Sequence, residues 1–494
     1  MTSSEIKQLT FTVFGKYRII KGFFDPGALM INSTNGIQWR SQSAFVIVAT
    51  GATLSLNDFL TFPVLTGHNG GGAFLLLYAI FLFLLGLPLL MAELMIGRLG
   101  RSDPSRSFEI LASQQQASVY WKTVGFVSLL AAFLIVSTFS VIAGWSLSYI
   151  FKSGLGIYSS LTADSINASF SEFVNDTERM MLWHTLFVIL LVTFSAQQLR
   201  KGIERISYIL VPGMVVIIFL GLIIASNSPG FYESIQYLLY ADFSSLDTST
   251  PLLALQRAFY TLALGLGAMI IYGSYLPTNV SIGYSAFLVI TIDLLFSIIV
   301  GLTINAFIFS AGMLPGLDSQ YAYRVLPYVF NQHELGQFLA VMFYLLLTIA
   351  ALTTSFALME GPASYIQRKF RYSRIKSVVL LGMAIWALGL GSIFSYSVWN
   401  GDGLTVALFY GGEAVRIVYN AGFHDVMVSI SSHIIQPLAA LFLCLFVAWV
   451  IPREVSHKEL AMPGKYWYEI WNYMIRYITP VLLLIVVLNS FGII

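Results

Sequence analysis

Residues 51–63 of this 494-residue chain read GATLSLNDFLTFP, and residues 69–74 read NGGGAF. The first stretch lies in the first long apolar segment and places a carboxylate, Asp58, among several hydrogen-bonding side chains. An ionisable group in the middle of a membrane span is costly and typically marks a binding site or a pathway. Helices interrupted at that depth are typical of transporters whose exposed backbone binds an ion or a substrate. The stretch therefore predicts a broken first span.

The composition indicates a protein that is embedded in a membrane. Apolar residues make up 57% of the chain and charged residues 10%, and the mean hydropathy is +0.78. A soluble domain carries roughly 25% charged residues. A membrane-spanning helix needs about 20 apolar residues. We predict an all-α integral membrane protein with eleven transmembrane helices, near residues 40–65, 73–97, 123–151, 180–197, 206–226, 252–275, 283–311, 337–366, 376–396, 424–450 and 468–492.

The distribution of basic residues predicts the orientation of the spans. With the N-terminus inside, only four basic residues fall in outer segments, namely Lys152, Arg179, Arg324 and Arg416. Twenty fall in inner segments, as the positive-inside rule requires. An odd number of spans then places the C-terminus outside, in a plasma membrane such as the bacterial inner membrane.

The first 39 residues are predicted to be a cytoplasmic N-terminal segment. They contain no apolar run with a small-residue cleavage site, so no cleavable signal peptide is expected. Residues 5–24 mix apolar and basic side chains. This pattern fits an amphipathic helix on the inner membrane surface and a disordered tail equally well.

Catalytic and nucleic-acid-binding functions find no support in the motifs. The single cysteine, Cys444, permits no internal disulfide and no cysteine metal site. His333 and Glu334 lack a second histidine at the spacing of a zinc protease. There is no nucleotide-binding glycine loop, so we expect no enzyme activity and no organic cofactor. The lipid-facing composition argues against a nucleic-acid partner and favours the lipid bilayer and a small-molecule substrate.

A second interruption is predicted in the sixth span. Residues 261–268 read TLALGLGA, and each glycine weakens a helix by about 1 kcal/mol relative to alanine. Backbone groups freed in a membrane must line a cavity or bind a ligand. Because spans 1 and 6 lie five apart, they suggest an inverted repeat. Residues 40–226 and 252–450 would form two five-helix repeats, and 468–494 an additional eleventh helix. The alternative is close helix packing through small residues.

With these features the chain resembles the neurotransmitter:sodium symporter family, whose fold is that of the bacterial leucine transporter. The resemblance extends from Trp39 to Trp449 and includes PLLMAE at 88–93 with Gly97 and Arg98, AGW at 143–145 and LTTS at 352–355, besides the stretches quoted above. It implies a divergent, sodium-coupled secondary active symporter that imports a small amino acid by alternating access. The coupling ion would be Na+.

The second sodium site of the family is retained in this sequence. By resemblance its ligands are the backbone carbonyls of Gly51, Leu54 and Ala350 and the hydroxyls of Thr353 and Thr354. Sodium is a hard cation and, like other hard cations, prefers oxygen ligands. The alternative for the two threonines is hydrogen bonding to the preceding helical turn.

The first sodium site and the adjoining chloride site are altered. Asp58 and Asp293 stand where the family has asparagines, and Arg257 stands where it has a glutamine. The full set by resemblance is Asp58, Tyr78, Arg257, Thr261, Asp293 and Ser297. Three interpretations remain open: a fixed Arg257–Asp293 pair that replaces chloride and sodium, tighter sodium binding by the carboxylates, or protonation of one carboxylate. We favour the first, because an unpaired buried arginine is expensive.

The substrate site implied by the resemblance is apolar, with one aromatic wall. Phe139 stands where the family has a tyrosine whose hydroxyl binds the substrate carboxylate, and Ser55 and Asn57 replace glycines. The alternative for each position is simple core packing. The predicted lining residues are Leu54, Ser55, Phe139, Tyr260, Ala263, Leu266, Ser355 and Leu358.

The ion pairs that close the family's pathway are absent here. The outer pair corresponds to Thr61 and Val428, and the inner pair to Gly36 and Arg368. Trp39 is retained and is predicted to close the inner side by packing.

Two further carboxylates lie inside predicted spans. We predict that Glu93 accepts hydrogen bonds from unwound backbone and that Glu360 pairs with Arg368.

Two alternative functions depend on these departures. A cationic amine could be the substrate, with Asp58 as its counter-ion. Alternatively, the chain could be an uncoupled receptor or channel on the same scaffold, in which case it would catalyse no exchange of substrate.

Overall fold

The computed structural model describes residues 38–159, 161–316, 320–400, 403–410, 413–462 and 464–493. The predicted amphipathic segment 5–24 and the inner-pair position Gly36 lie outside the described residues. Nine helices in the described part of the chain are long and apolar enough to cross a membrane. They coincide within a few residues with nine of the predicted spans: Gly72–Gly100, Val119–Gly154, Thr177–Ser195, Ile203–Ser226, Ile282–Ser310, Gly336–Phe370, Arg374–Tyr396, Phe423–Trp449 and Lys465–Ser490.

The other two predicted spans are each divided into shorter helices. The first broken segment consists of Gln42–Thr53, Leu56–Leu60 and Phe62–His68. The second broken segment consists of Thr250–Tyr260 and Ala268–Ser274. Both interruptions fall where the sequence predicts them, whereas the count of eleven spans and the inverted repeat remain predictions.

Helix ends follow the local sequence. Ser41 caps Gln42–Thr53 by accepting a hydrogen bond from the Ala44 amide at 3.1 Å, as N-cap serines do. Three of the long helices contain a π-helical turn, a feature that is frequent near functional sites. These turns are Leu82–Gly86, Ser429–Ile435 and Met474–Ile478.

The connections contain short helices at Pro104–Gln114, Ala163–Asn175, Phe231–Leu239, Tyr321–Arg324, Leu326–Asn331 and Arg453–Leu460, and 3₁₀ turns at Val119–Trp121 and Phe243–Ser245. The described part of loop 312–336 is folded onto the helices. The Tyr323 hydroxyl lies 2.7 Å from Ser146 Oγ, and the Tyr344 hydroxyl donates to the Ala322 carbonyl at 2.7 Å. These contacts show that the described part of this loop is a folded element.

A two-stranded hairpin departs from the predicted all-α class. Strands Leu404–Tyr410 and Glu413–Ala421 pair antiparallel, with Tyr410 opposite Glu413. The signal was in the sequence, because a Gly-Gly dipeptide separates two runs rich in β-branched residues. The other regular elements among the described residues are helices, apart from an isolated bridge between Gly71 and Ala241.

Both breaks lie within the helix bundle. Gly336–Phe370 is the most buried of the nine long helices and packs along Val119–Gly154. The helix Gln42–Thr53 contacts Ile203–Ser226, Ile282–Ser310 and Gly336–Phe370. The half-helix Ala268–Ser274 packs against the latter part of Gly72–Gly100. Exposed backbone at the breaks is thereby surrounded by protein rather than lipid, as the absence of water in a bilayer requires.

Candidate ion and substrate site

Asp58 holds the first break open. Its Oδ2 accepts hydrogen bonds from the Ser55 amide at 2.7 Å and from Ser55 Oγ at 2.9 Å. In a continuous helix the Ser55 amide would instead bond to the Gly51 carbonyl. Residues 55–58 thus form one half of a capping box. In this half, the carboxylate of Asp58, three residues after the N-cap residue Ser55, accepts the hydrogen bond of the Ser55 amide. The Gly51 carbonyl loses its helical donor as a result.

The Leu54 carbonyl is the second oxygen released at this break. Leu54 has an extended backbone, with φ −67° and ψ 92°. The Asp58 amide, its helical donor, bonds to the Ser55 carbonyl instead. The Leu54 carbonyl accepts a hydrogen bond from Thr354 Oγ1 at 3.1 Å. The break is therefore joined directly to the helix Gly336–Phe370.

The structure brings together all five predicted ligands of the second sodium site. Thr353 Oγ1 lies 3.1 Å from the Ala350 carbonyl, and a Cβ on Gly51 would lie 3.2 Å from Thr353 Cβ. Thr354 and Leu54 are linked as described above, and all five residues are buried. Thr353 also donates to the Ile349 carbonyl at 3.0 Å, the back-bonding that was the alternative interpretation. Three carbonyls and two hydroxyls are oxygen donors of the kind that Na+ prefers, and the ion site stays a prediction.

The second break is held by two side chains from other helices. Ala263, Gly265 and Gly267 have φ of 50°, 81° and 72°, values that a continuous right-handed helix excludes. The Gly265 amide donates to Glu93 Oε1 at 2.6 Å, which confirms the predicted role of Glu93. Gln436 Nε2 donates to the Leu264 carbonyl at 2.9 Å.

Gln436 was missed in the sequence analysis. Its signal was an amide side chain directly before Pro437 within an apolar span. A polar residue in a membrane helix often supplies a hydrogen bond to a neighbouring helix.

We predict that Glu93→Leu destabilises the protein because it leaves the buried Gly265 amide without an acceptor. An unsatisfied buried amide costs about 1–3 kcal/mol. Glu93→Gln keeps a side-chain oxygen at the same place and is expected to lose less. The free energy of unfolding of the purified variants measures both effects, and equal losses would contradict this role.

Arg257 pairs with Asp58, so the predicted Arg257–Asp293 pair is wrong. Arg257 Nη2 donates to Asp58 Oδ1, and Thr261 Oγ1 donates to the same oxygen at 2.8 Å. Both side chains of the pair are buried, with 8% and 1% exposure. Arg257 and Thr261 lie four apart on one helix face, and this face meets the first broken segment. Sequence spacing could not tell which of the two carboxylates that face would meet.

The other predicted members of the altered site lie around this pair. The Tyr78 ring centroid lies 4.9 Å from that of Phe62, and the Arg257 guanidinium lies over the Phe62 ring at 5.4 Å. Thr261 Oγ1 lies 3.4 Å from Asp293 Oδ2. Among the six residues of this set, Tyr78 Oη, Asp293 Oδ1 and Ser297 Oγ are buried oxygens without a hydrogen-bond partner in the described part of the chain.

The predicted substrate residues come from both breaks and two long helices. Leu54 and Ser55 lie in the first break, Tyr260 ends the half-helix Thr250–Tyr260, and Ala263 and Leu266 follow it. Buried members are Leu54, Leu266, Ser355 and Leu358, and half-buried members are Ser55, Phe139, Tyr260 and Ala263.

In the described chain, direct contacts connect only part of this set. Leu54 bonds to Thr354, which directly precedes Ser355. The helix that carries Phe139 packs along Gly336–Phe370, the helix that carries Ser355 and Leu358. His433, missed in the sequence analysis, lies with its ring centroid 5.9 Å from that of Tyr260.

The other end of the second broken segment carries a buried polar cluster. Glu360 binds Arg374, with an Nη1–Oε1 distance of 2.9 Å, and accepts from the Tyr275 hydroxyl at 2.8 Å. The predicted Glu360–Arg368 pair is therefore wrong, and Arg368 pairs with Asp103 instead. Glu360 lies in the helix Gly336–Phe370, and Arg374 is the first residue of the next helix, Arg374–Tyr396. The chain turns back between these two helices, and this turn brings Arg374 to Glu360.

Trp39 lies beside this cluster and is buried. Its indole Nε1 donates to the Tyr272 carbonyl at 2.9 Å. The ring packs edge-on against Tyr272 and Tyr275, with centroid distances of 5.4 and 5.9 Å. The predicted packing of Trp39 is thus present at the end of the second broken segment.

Comparison with known proteins identifies the family. The profile of the Sodium:neurotransmitter symporter family matches residues 37–170 and 158–493. The chain belongs to this family. The chain is therefore a symporter of the membrane-embedded, sodium-dependent transporter class, and its relatives are transporters rather than enzymes.

Individual relatives cover nearly the whole chain. An uncharacterized sodium-dependent transporter of Bacillus subtilis, YhdH, is 31% identical over 464 residues, which are 92% of this chain and 98% of that protein. A transporter of Haemophilus influenzae with the same description is 30% identical over 460 residues, 92% of this chain and 97% of that protein. The crystal structure of MhsT in complex with L-phenylalanine is 33% identical, with a TM-score of 0.80, and covers 92% of this chain and 99% of that one.

Proposed function

We propose that this protein is a sodium-coupled secondary active symporter that imports a small amino acid by alternating access. The observation that carries the proposal is the contact between Thr354 Oγ1 and the Leu54 carbonyl at 3.1 Å. It links a backbone carbonyl of the first broken segment to a helix of the other half of the chain. A cation bound there would stabilise one arrangement of the two halves, and this difference in affinity is what coupling requires.

The substrate is proposed to be an amino acid with an apolar side chain. Leu54, Leu266 and Leu358 are buried and apolar, and Tyr260 contributes a half-buried aromatic ring. The similarity to MhsT, whose structure was determined with L-phenylalanine, supports the same chemical class. Small-molecule sites typically combine apolar walls with a few polar groups, and the buried Ser355 hydroxyl has no hydrogen-bond partner among the described residues.

The contacts of Asp58 do not favour a cationic amine as substrate. Both carboxylate oxygens already accept two hydrogen bonds each, from Ser55, Arg257 and Thr261. The positive charge of Arg257 compensates the negative charge of Asp58. A substrate ammonium group would have to displace a buried guanidinium to use Asp58 as its counter-ion.

The membrane orientation is part of the proposal. The basic residues support a cytoplasmic N-terminus and an external C-terminus in the plasma membrane, such as the bacterial inner membrane. Glycosylation or protease accessibility tags inserted into loop 312–336 would report from the outside if this orientation is correct.

We predict that Thr354→Val abolishes the stabilisation of the purified protein by sodium relative to potassium. Valine keeps the shape of threonine but removes one of the five proposed ligands. The matched control is Thr348→Val on the same helix, because in the described chain the buried Thr348 hydroxyl bonds only to the Tyr344 carbonyl, at 2.9 Å. Thermal unfolding in sodium and in potassium measures the difference.

The same assay identifies the substrate class. Each amino acid and amine of a panel, including L-phenylalanine, is added in sodium and in potassium. Stabilisation by a zwitterion that requires sodium supports the proposed symport, and stabilisation by a cationic amine supports the alternative substrate. Unchanged sodium dependence in Thr354→Val would contradict the ion site. A bound substrate that is never exchanged across proteoliposomes would indicate an uncoupled scaffold.

A further inference from the structure

The Arg257–Asp58 pair occupies the place where the family resemblance implies a first sodium ion. Arg257 reaches it from the half-helix Thr250–Tyr260, and Asp58 from the first broken segment. The Phe62 ring covers one face of the Arg257 guanidinium, with 5.4 Å between Arg257 Cζ and the ring centroid. Arginine keeps its charge in proteins, so this position already contains a permanent cation.

The oxygens that would bind a first sodium ion are already committed. Asp58 Oδ2 accepts from the Ser55 amide and hydroxyl, and Asp58 Oδ1 accepts from Arg257 and from Thr261. Of the side chains of Asp58, Thr261 and Asp293, only that of Asp293 keeps an oxygen without a partner in the described chain. Hard cations need several oxygen ligands at once, and one carboxylate oxygen beside a guanidinium does not supply them.

The connectivity of Asp58 strengthens this conclusion. The same carboxylate that pairs with Arg257 also holds the Ser55 amide and thereby keeps the first break open. A sodium ion at Asp58 would have to compete with both the guanidinium and the backbone amide. Asp58 is 1% exposed, so water could not compensate for the bonds lost.

We infer that the Arg257 guanidinium replaces the first sodium ion and that this symporter binds a single sodium ion, at the Thr353–Thr354 site. The inference rests on the proposed function, because it assigns the ion count of that same transport cycle. The guanidinium is tethered to its helix and cannot leave, so it contributes charge compensation but no coupling to the sodium gradient. The sodium dependence of this chain is then non-cooperative.

The test is equilibrium binding of radioactive sodium to the purified full-length protein, with no other ligand present. We expect a single equivalent per chain and a hyperbolic binding curve in the wild type. Thr354→Val should lose this equivalent, whereas Thr348→Val should keep it. The double variant Arg257→Gln/Asp58→Asn removes the ion pair and supplies two amides in its place. It should keep the Thr354-dependent equivalent and bind a second one.

Each other result overturns a defined part of the argument. Two equivalents in the wild type, or one that survives Thr354→Val, overturn the inference while sodium coupling stands. If the wild type binds two equivalents, the loss of one of them in Asp293→Asn shows that the additional ion uses the Asp293 carboxylate. A count that does not rise in the folded double variant overturns the role of Arg257. If the double variant does not fold, the wild-type count decides. No sodium binding at all overturns the proposed function and the inference together.

Discussion

Replacing Arg257 by glutamine is expected to destabilise the protein more than replacing Arg257 and Asp58 together by glutamine and asparagine. The single change leaves a carboxylate that is 1% exposed without its counter-charge. Removing one partner of a buried pair typically costs about 3–5 kcal/mol, whereas replacing both can be nearly neutral. The free energies of unfolding of the two single variants and the double variant form a double-mutant cycle that measures the coupling.

The cycle has a matched control in Asp293. Asp293 shares Thr261 with Asp58 but forms no ion pair with Arg257 among the described contacts. Arg257→Gln combined with Asp293→Asn should therefore show a weaker coupling than Arg257→Gln combined with Asp58→Asn. Additive effects of Arg257→Gln and Asp58→Asn would contradict the pair, and a larger coupling with Asp293 would restore the partner predicted from the sequence.

Glu360→Leu is expected to have an effect of similar size at the other end of the second broken segment. Glu360 is buried and binds both Arg374, at 2.5 Å between Oε2 and Nη2, and Tyr275. Without it, Arg374 keeps the Ser195 carbonyl, at 2.7 Å from Nη2, as its hydrogen-bond acceptor in the described chain. The expected loss of stability is about 3–5 kcal/mol. An exposed pair serves as control, because Glu172→Gln, opposite Arg179 at 3.3 Å, should cost about 0–1 kcal/mol.

The same variant should loosen the end of the second broken segment. Tyr275 directly follows the half-helix Ala268–Ser274, and Trp39 packs on it. Ser274 is 1% exposed, so a Ser274→Cys substitution reports opening of this end through its reaction with a water-soluble maleimide. Cys444 is buried and gives little background. Faster labelling in Glu360→Leu is expected, and an unchanged rate would show that the cluster does not hold this end closed.

Much of the fold could be predicted from the sequence because lipid imposes strong rules on a chain. Long apolar runs must become helices to satisfy their backbone, and nine of the predicted spans are helices of nearly the predicted length. The break at 261–267 was signalled by its glycines. The hairpin between Leu404 and Ala421 was missed because it lies outside the apolar runs, where hydropathy gives no signal for strands.

The candidate site was predictable in its residue types but not in its pairings. Residues 55–58 carried a local capping pattern, and local hydrogen bonds depend only on nearby residues. Gln436, by contrast, lies 172 residues from the Leu264 carbonyl that it binds. No periodicity connects such positions, since their contact depends on how whole helices pack.

The sequence by itself determined the membrane class, nine of the long helices and both interruptions. The oxygen-rich set Gly51, Leu54, Ala350, Thr353 and Thr354 came from the family resemblance and stays a prediction as an ion site. Only the tertiary structure decided that Arg257 meets Asp58 rather than Asp293, and that Glu360 meets Arg374 rather than Arg368. The physical reason is that hydropathy and capping act within a few residues of the chain. An ion pair depends on the rotation and depth of two packed helices, and a shift of one helical turn is enough to exchange one carboxylate for another.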